Sequence, residues 1–161
     1  MSIESKVLGQ QVAYPTDYCP SILVPVPRSL NREIYDIHTP EELFWGFDTW
    51  HAYEAGFLAR NGLPVCGVLK LVYPANSPCI VESKSLKLYL NSLNMTRLGE
   101  DTPSGVETYL QIVKSDLEQI LQTRVEATFF RQAPEKPYFD FQDYTLLEAT
   151  PGIERETFTE D

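Results

Sequence analysis

An Asn-Gly pair between two extended segments constrains the fold of this chain more than any other feature. Asn61-Gly62 is a strong local signal for a β-hairpin. In the segment before it, residues 47–58, two sets of side chains alternate as they would on the two faces of a strand, and many of them are aromatic. This pattern favours a strand, although a helix is also compatible with this segment. After it, residues 65–73 form an apolar run that ends at Pro74. The sequence therefore predicts two antiparallel strands that lie side by side in a sheet.

Two apolar patterns with helical spacing follow this hairpin. The first places four side chains at i, i+3, i+4 and i+7, as on one helix face: Leu86, Tyr89, Leu90 and Leu93. The second predicts a helix over residues 104–122, with one apolar stripe made of Val106, Tyr109, Leu110, Val113, Leu117, Ile120 and Leu121. Residues 124–131 and a shorter segment near 138–144 are predicted strands. The order β-β-α-α-β-β indicates a two-layer α+β fold.

The segments outside this pattern are predicted to be irregular. Residues 1–32 form an N-terminal arm whose hexapeptide Pro-Arg-Ser-Leu-Asn-Arg, at 27–32, contains Arg28 and Arg32. Two arginines around a serine and an asparagine suit a phosphate or a carboxylate, but their spacing alone favours a solvated loop. Further loops are expected at 33–46, with a helical turn at 40–43, and at 75–81. We assign 33–147 to the α+β domain and 148–161 to an acidic tail.

Composition disfavours several classes of partner. The net charge of −10 and the acidic pI of about 4.6 argue against a nucleic-acid or anionic membrane surface. No apolar run approaches the roughly 18 residues of a membrane span, and the N-terminus lacks the pattern of a secretion signal. The three cysteines, Cys19, Cys66 and Cys79, show neither metal nor disulfide spacing. A cytoplasmic, reducing setting is the expectation.

Residues 82–89, Glu-Ser-Lys-Ser-Leu-Lys-Leu-Tyr, are the best candidate for a functional site. They follow a strand-like run and open a helix, whose start presents backbone N–H groups and a partial positive charge. Ser83 and Ser85 are of a residue type that can cap the helix, and Lys84 and Lys87 suit a phosphate-bearing cofactor beside it. The Glu82 carboxylate suits two N–H donors of a heterocycle. The simpler alternative is a capped surface helix with no ligand.

The same eight residues resemble the signature of the 7-cyano-7-deazaguanine reductases, the nitrile reductases of queuosine biosynthesis, a tRNA modification pathway. The hexapeptide at 27–32 resembles the N-terminal half of the long form of that family, and the two matches occur in the expected order. The resemblance implies a tunnelling fold (T-fold), an antiparallel four-stranded sheet with two helices on one face. Such domains assemble edge to edge with purine-like ligands at their interfaces, so we expect an oligomer or a partner domain.

The resemblance also assigns roles to the signature residues. Glu82, with Ser83, is implied to bind the N–H edge of 7-cyano-7-deazaguanine, and Lys84, Ser85 and Lys87 are implied to contact NADPH. The family reduces the nitrile to a primary amine with two NADPH. A cysteine thiolate first captures the nitrile as a thioimide, and a nearby Asp supplies protons.

The catalytic cysteine is missing from the position where short family members carry it. That position lies some two dozen residues before the signature, where this chain has no cysteine at residues 57–62. Cys66 and Cys79 lie at other positions and are better explained as small apolar residues. We therefore expect the first half of a long-form enzyme, inactive alone, with the Cys and Asp in a C-terminal T-fold domain. That domain is either a separate subunit or a continuation of this chain. Residues 148–161 are accordingly either an acidic tail or the start of a linker to it.

Three alternatives remain at this stage. A non-catalytic deazapurine-binding or scaffolding module is compatible with the missing cysteine. An amidine-forming relative needs the same cysteine and meets the same objection. A zinc-dependent cyclohydrolase of the same fold is disfavoured, because His38 and His51, the only histidines, show no ligand spacing with a cysteine.

Overall fold

A computed structural model describes residues 15–38, 45–132 and residue 145 of the chain. Its elements, in chain order, are a 3₁₀ turn at Pro20–Ile22, β1 at Pro25–Pro27, α1 at Ser29–Ile34, β2 at Phe47–Leu58, β3 at Pro64–Pro74, β4 at Cys79–Val81, α2 at Ser83–Ser92, α3 at Thr102–Leu121 and β5 at Glu126–Phe130. The fold class is α+β, as predicted, and its sheets are antiparallel.

The predicted hairpin is confirmed and forms one side of the main sheet. β2 pairs with β3 from Phe47↔Pro74 to Leu58↔Pro64, and Gly62, in the connection, has a φ of +86°. β3 is the central strand, because its other edge pairs with β5, the strand predicted at 124–131.

A β-bulge in β2 breaks the simple alternation expected from the sequence. Between Ala52 and Ala55 the strand advances three residues, while its partner advances only two, from Leu69 to Gly67. The buried side chains therefore stand at an even-numbered position before the bulge, Ala52, and at odd-numbered positions after it, Ala55 and Phe57. Because side chains alternate with a period of two, one extra residue is what keeps both halves of this strand facing the core.

Two segments predicted as loops are regular instead. Residues 79–81, within the expected loop at 75–81, form β4, which pairs with β1 in a second, two-stranded sheet from Pro25↔Val81 to Pro27↔Cys79. Residues 29–34, which span the end of the hexapeptide, form α1 rather than a solvated loop. Elements of three and six residues carry too little periodicity to be found from the sequence, and tertiary contacts hold them in place.

Both long helices were predicted correctly, and α3 begins two residues before and ends one residue before its predicted bounds. α2 buries Leu86, Tyr89, Leu90 and Leu93, each 3% exposed or less. α3 begins with a capping box between Asp101 and Ser104. Its fully buried side chains all belong to the predicted stripe: Tyr109, Val113, Leu117 and Leu121.

An aromatic cluster joins α3 to the sheet. The Tyr109 ring lies 5.5 Å from the rings of both Phe57 and Phe129, stacked on the first and edge-on to the second. Side chains of β3, including Leu69 and Leu71, belong to the same core as those of α2 and α3. Both helices therefore pack into the core that one face of the sheet lines.

The described part of the N-terminal arm is tied to α2 through two buried serines. Ser92 Oγ accepts a hydrogen bond from Cys19 N at 3.2 Å, and Ser85 Oγ accepts one from Val24 N at 3.1 Å. The two serines are 1% and 4% exposed. These contacts make residues 19–24 part of the α+β domain's packing, although the boundary proposed at residue 32 stays a prediction.

Several predictions lie outside the described residues. They include the strand near 138–144, the helical turn at 40–43 and the tail from 148. The four-stranded arrangement of the T-fold therefore stays a prediction, because β2, β3 and β5 are the strands of the main sheet in the part of the chain that the structure describes.

Two tyrosines share one carboxylate oxygen, which makes alkaline stability testable. The hydroxyls of Tyr18 and Tyr89 donate to Asp116 Oδ2 at 2.7 and 2.5 Å. Burial, and then the bond to Asp116, raises the pKa of Tyr18 from 10.0 to about 12. Because the neutral phenol is favoured in the fold, its contribution is complete below pH 10 and is lost as pH rises through about 12.

We therefore expect the difference in unfolding free energy between the parent chain and Tyr18→Phe to shrink steadily from pH 9.5 to pH 12, as denaturant titrations at each pH would measure. A difference that stays constant over this range would contradict the role of the Tyr18 hydroxyl.

Candidate functional site

Glu82 lies between β4 and α2 and caps the helix with its own side chain. Its backbone is extended, with φ −72° and ψ 131°, and its carboxylate accepts hydrogen bonds from Lys84 N at 2.9 Å and Ser85 N at 2.6 Å. Neither Ser83 nor Ser85, the candidate caps in the sequence, is the N-cap of α2. The longer Glu82 side chain curls back over the first turn and takes the capping role from them.

This geometry fixes the carboxylate and leaves it able to bind more. A carboxylate has about four acceptor positions. The two backbone donors use one position on each oxygen, and Ser83 Oγ lies 3.4 Å from Oε1. Glu82 is half-buried, and the helix dipole favours a negative charge at this end. The arrangement suits a planar ligand that offers two N–H donors.

The two signature lysines lie beside this carboxylate on the surface. Lys84 and Lys87 are three residues apart on α2, so they share one side of the helix, and both are exposed. Backbone N–H groups at the helix start were expected to bind a phosphate. Those of Lys84 and Ser85 instead donate hydrogen bonds to the Glu82 carboxylate. Any phosphate contact from this turn is therefore expected to come from the lysine side chains.

The two signature serines differ in their surroundings. Ser83 is exposed next to Glu82. Ser85 is buried, and its hydroxyl donates to Glu82 O at 2.8 Å while it accepts from Val24 N at 3.1 Å. The structure thus brings Glu82, Ser83 and the two lysines together at the outside of the α2 start, and places the Ser85 side chain inside. Its predicted contact with NADPH stays a prediction.

The arginines of the hexapeptide are not at the α2 start. Arg28 pairs with Asp48 and bonds Ser77, and Arg32 donates to Ala75 O at 3.2 Å. Both line a cavity of about 440 Å³ together with Ser29, Glu33, Ile37, His38, Asn76, Ser77 and Pro78. No spacing or periodicity along the chain indicates that these arginines contact the connection after β3.

In the described region none of the cysteines forms a disulfide, and both histidines are exposed. Cys66 is exposed on β3, while Cys19 and Cys79 are half-buried, and all three are free thiols. His38 bonds Asp36 at 2.6 Å, and His51 is exposed on β2. Among residues 15–38 and 45–132, no group of three His, Cys, Asp or Glu side chains is placed to hold a metal ion. In those ranges no helix combines the length and apolarity of a membrane span.

Comparison with known proteins matches this chain to one family. The family described as "Nitrile reductase, 7-cyano-7-deazaguanine-reductase N-term" matches residues 14–129. That range contains the hexapeptide, the hairpin, both long helices and the complete Glu82 signature.

Two relatives show the same relationship over most of the chain. A protein of Acinetobacter baumannii (strain ATCC 17978) named NADPH-dependent 7-cyano-7-deazaguanine reductase is 41% identical over 131 residues, which are 81% of this chain and 46% of the relative. A protein of the same name from Legionella pneumophila (strain Corby) is 36% identical over 146 residues, which are 91% of this chain and 47% of the relative. The chain spans about half the length of the curated relatives it matches. It belongs to the N-terminal domain family of the 7-cyano-7-deazaguanine nitrile reductases.

Proposed function

We propose that this chain is the nucleobase- and NADPH-binding half of a reductase that converts 7-cyano-7-deazaguanine to 7-aminomethyl-7-deazaguanine in queuosine biosynthesis. The observation that carries the proposal is the Glu82 carboxylate, which two backbone N–H groups hold at the surface with acceptor capacity left over. The family match and the names of the relatives supply the ligand and the cofactor.

In this proposal Glu82 recognises the substrate. Its two oxygens accept hydrogen bonds from the N–H edge of the deazaguanine ring, and the Ser83 hydroxyl lies beside them for a further contact. A carboxylate already held by the helix start loses little side-chain freedom on binding, so more of the interaction energy appears as affinity. The cap therefore pre-organises the substrate site.

The cofactor contacts come from the same helix turn. Lys84 and Lys87 place two positive charges on one exposed side of α2, which suits the phosphates of NADPH. Ser85 is proposed to support this contact. When bound, NADPH supplies the hydride for nitrile reduction.

The nucleophile is proposed to lie in a partner. Neither Cys66 nor Cys79 is at the family's catalytic position, and the curated relatives extend over about twice the matched length. We propose that a C-terminal T-fold domain or subunit carries the catalytic Cys and Asp. The outer edge of β5, which has no partner strand among the described residues, together with a fourth strand at 138–144, would join such domains into an oligomer.

Intact-mass analysis of the covalent adduct tests this division of labour. The chain is mixed with the C-terminal half of a relative and with 7-cyano-7-deazaguanine, without NADPH, so that the adduct accumulates. We expect the mass of the nitrile substrate on the C-terminal half and none on this chain. An adduct on Cys66 or Cys79 would place the nucleophile here and contradict the proposal.

A second candidate is a non-catalytic deazapurine-binding module, which the missing cysteine favours. In that case the chain binds the nucleobase through Glu82, but no C-terminal half restores reduction.

A further inference from the structure

We infer that Arg28 is a positioning residue for Glu82 and that it acts through the connection between β3 and β4. The inference rests on the proposed function, because it assigns Arg28 the task of holding in place the Glu82 carboxylate that binds the substrate. It also gives a role to the 27–32 hexapeptide, whose arginines lie away from the α2 start.

Arg28 forms several hydrogen bonds to the connection of residues 75–78. Its Nε donates to Ser77 O at 2.9 Å, its terminal nitrogen donates to Ser77 Oγ at 3.0 Å, and its backbone N donates to Pro78 O at 3.0 Å. Arg32 adds a bond to Ala75 O from the next turn of α1. The hexapeptide thus binds three carbonyl groups within four residues of this connection.

The guanidinium also joins this connection to the main sheet. Arg28 pairs with Asp48 on β2, and the side chains of the pair are 12% and 27% exposed. By contrast, the side chains of the Arg60–Glu100 pair are 67% and 76% exposed. An ion pair shielded from water is coupled to its surroundings more strongly than an exposed one, and the planar guanidinium fork suits several acceptors at once.

From Ser77 the contacts lead directly to Glu82. Ser77, itself 3% exposed, donates from Oγ to Cys79 O at 2.9 Å at the start of β4. The three residues of β4 are then paired with β1, and Glu82 N donates to Val24 O at 2.9 Å. Because β4 has only three residues, we expect a shift of the 75–78 connection to move the Glu82 carboxylate as well.

Hydrogen exchange on this chain tests the structural half of the inference. In Arg28→Lys the charge remains but the fork is lost, so the amides of Val81, Glu82 and Ser85 are expected to exchange about tenfold faster, while those of Val113 and Leu117 in α3 keep their rates. Asp48→Asn should accelerate the same amides. Arg60→Lys, at the exposed pair, should leave all of them unchanged. Unchanged exchange at Val81, Glu82 and Ser85 in both Arg28→Lys and Asp48→Asn would overturn the inference.

Steady-state kinetics of the chain assembled with a C-terminal half tests the functional half. For Arg28→Lys we expect the KM for 7-cyano-7-deazaguanine to rise about tenfold, with kcat and the KM for NADPH within about twofold of the parent. A rise in the NADPH KM alone would overturn the inference, because it would make Arg28 a cofactor ligand.

A double-mutant cycle separates positioning from general stability. In a Glu82→Gln background, Arg28→Lys is expected to change nucleobase affinity by less than about twofold, since no carboxylate remains to be positioned. The same fold-change in both backgrounds would mean that Arg28 acts only on overall stability. If Glu82→Gln itself leaves affinity unchanged, the proposed function fails. If Glu82→Gln weakens binding and Arg28→Lys does not, only the inference about Arg28 fails.

Discussion

Replacing Glu82 with leucine is expected to weaken binding of 7-cyano-7-deazaguanine by at least about a hundredfold. Two hydrogen bonds to a charged acceptor are lost, each worth about 1.5–3 kcal/mol, which together correspond to a factor of roughly 10² to 10⁴ in Kd. The substitution also removes the helix cap, so the unfolding free energy should fall by about 1 kcal/mol. Calorimetric titration of the assembled protein with the nucleobase measures the first effect, and urea denaturation measures the second.

Glu82→Asp separates the two roles of this carboxylate. Aspartate is among the best N-cap residues, so it is expected to keep α2 capped and the stability of the chain unchanged within about 0.5 kcal/mol. Its side chain is one methylene shorter, which draws the carboxylate back toward the helix and away from a ligand. We therefore expect Glu82→Asp to lose most of the nucleobase affinity without loss of stability. Parent-like affinity in both Glu82→Asp and Glu82→Leu would contradict the assignment.

The largest effect on stability is expected at Gly99, in the connection between α2 and α3. Gly99 has a φ of +67°, and a Cβ there would overlap the backbone nitrogen of Gly105 in the first turn of α3. The positive φ costs an alanine about 1–2 kcal/mol, and overpacking adds about 1–3 kcal/mol. Gly99→Ala should therefore lower the unfolding free energy by about 2–5 kcal/mol in urea denaturation.

Gly62→Ala is the matched control for this substitution. Gly62 also has a positive φ, of +86°, but a Cβ there would meet only the end of the Arg97 side chain, at 3.3 Å. We expect this variant to show the backbone cost alone, about 1–2 kcal/mol. Equal losses for Gly99→Ala and Gly62→Ala would show that the close approach of Gly99 to the first turn of α3 contributes nothing.

The long elements were predictable because their patterns repeat. The helical spacing of Leu86, Tyr89 and Leu90 predicted a helix, and the Asn61-Gly62 pair predicted a hairpin, since each signal depends on local sequence. The bulge after Ala52 could not be predicted, because the alternation of side chains along residues 47–58 shows no interruption at that point in the sequence. The same limit applies to β4, which becomes a strand only through its pairing with β1.

The candidate site was located by its signature, but its internal geometry was not predictable. Serines are the usual caps, and nothing local showed that Glu82 would take this role from Ser83 and Ser85. One signal was present for Ser85. It lies seven residues before Ser92, so two turns place both serines on the same side of α2, where each accepts a backbone N–H of the arm. The contacts of Arg28 join residues 49 positions apart, a distance that no spacing rule covers.

Consumption of NADPH in the presence of 7-cyano-7-deazaguanine tests the half-enzyme proposal most directly. It is followed at 340 nm for this chain alone, for the C-terminal half of a relative alone, and for the two mixed. We predict no turnover by either half and turnover by the mixture, abolished when the catalytic cysteine of the C-terminal half is replaced by alanine. Turnover by this chain alone would contradict the assignment of the nucleophile to a partner, and no turnover by the mixture would favour the binding module.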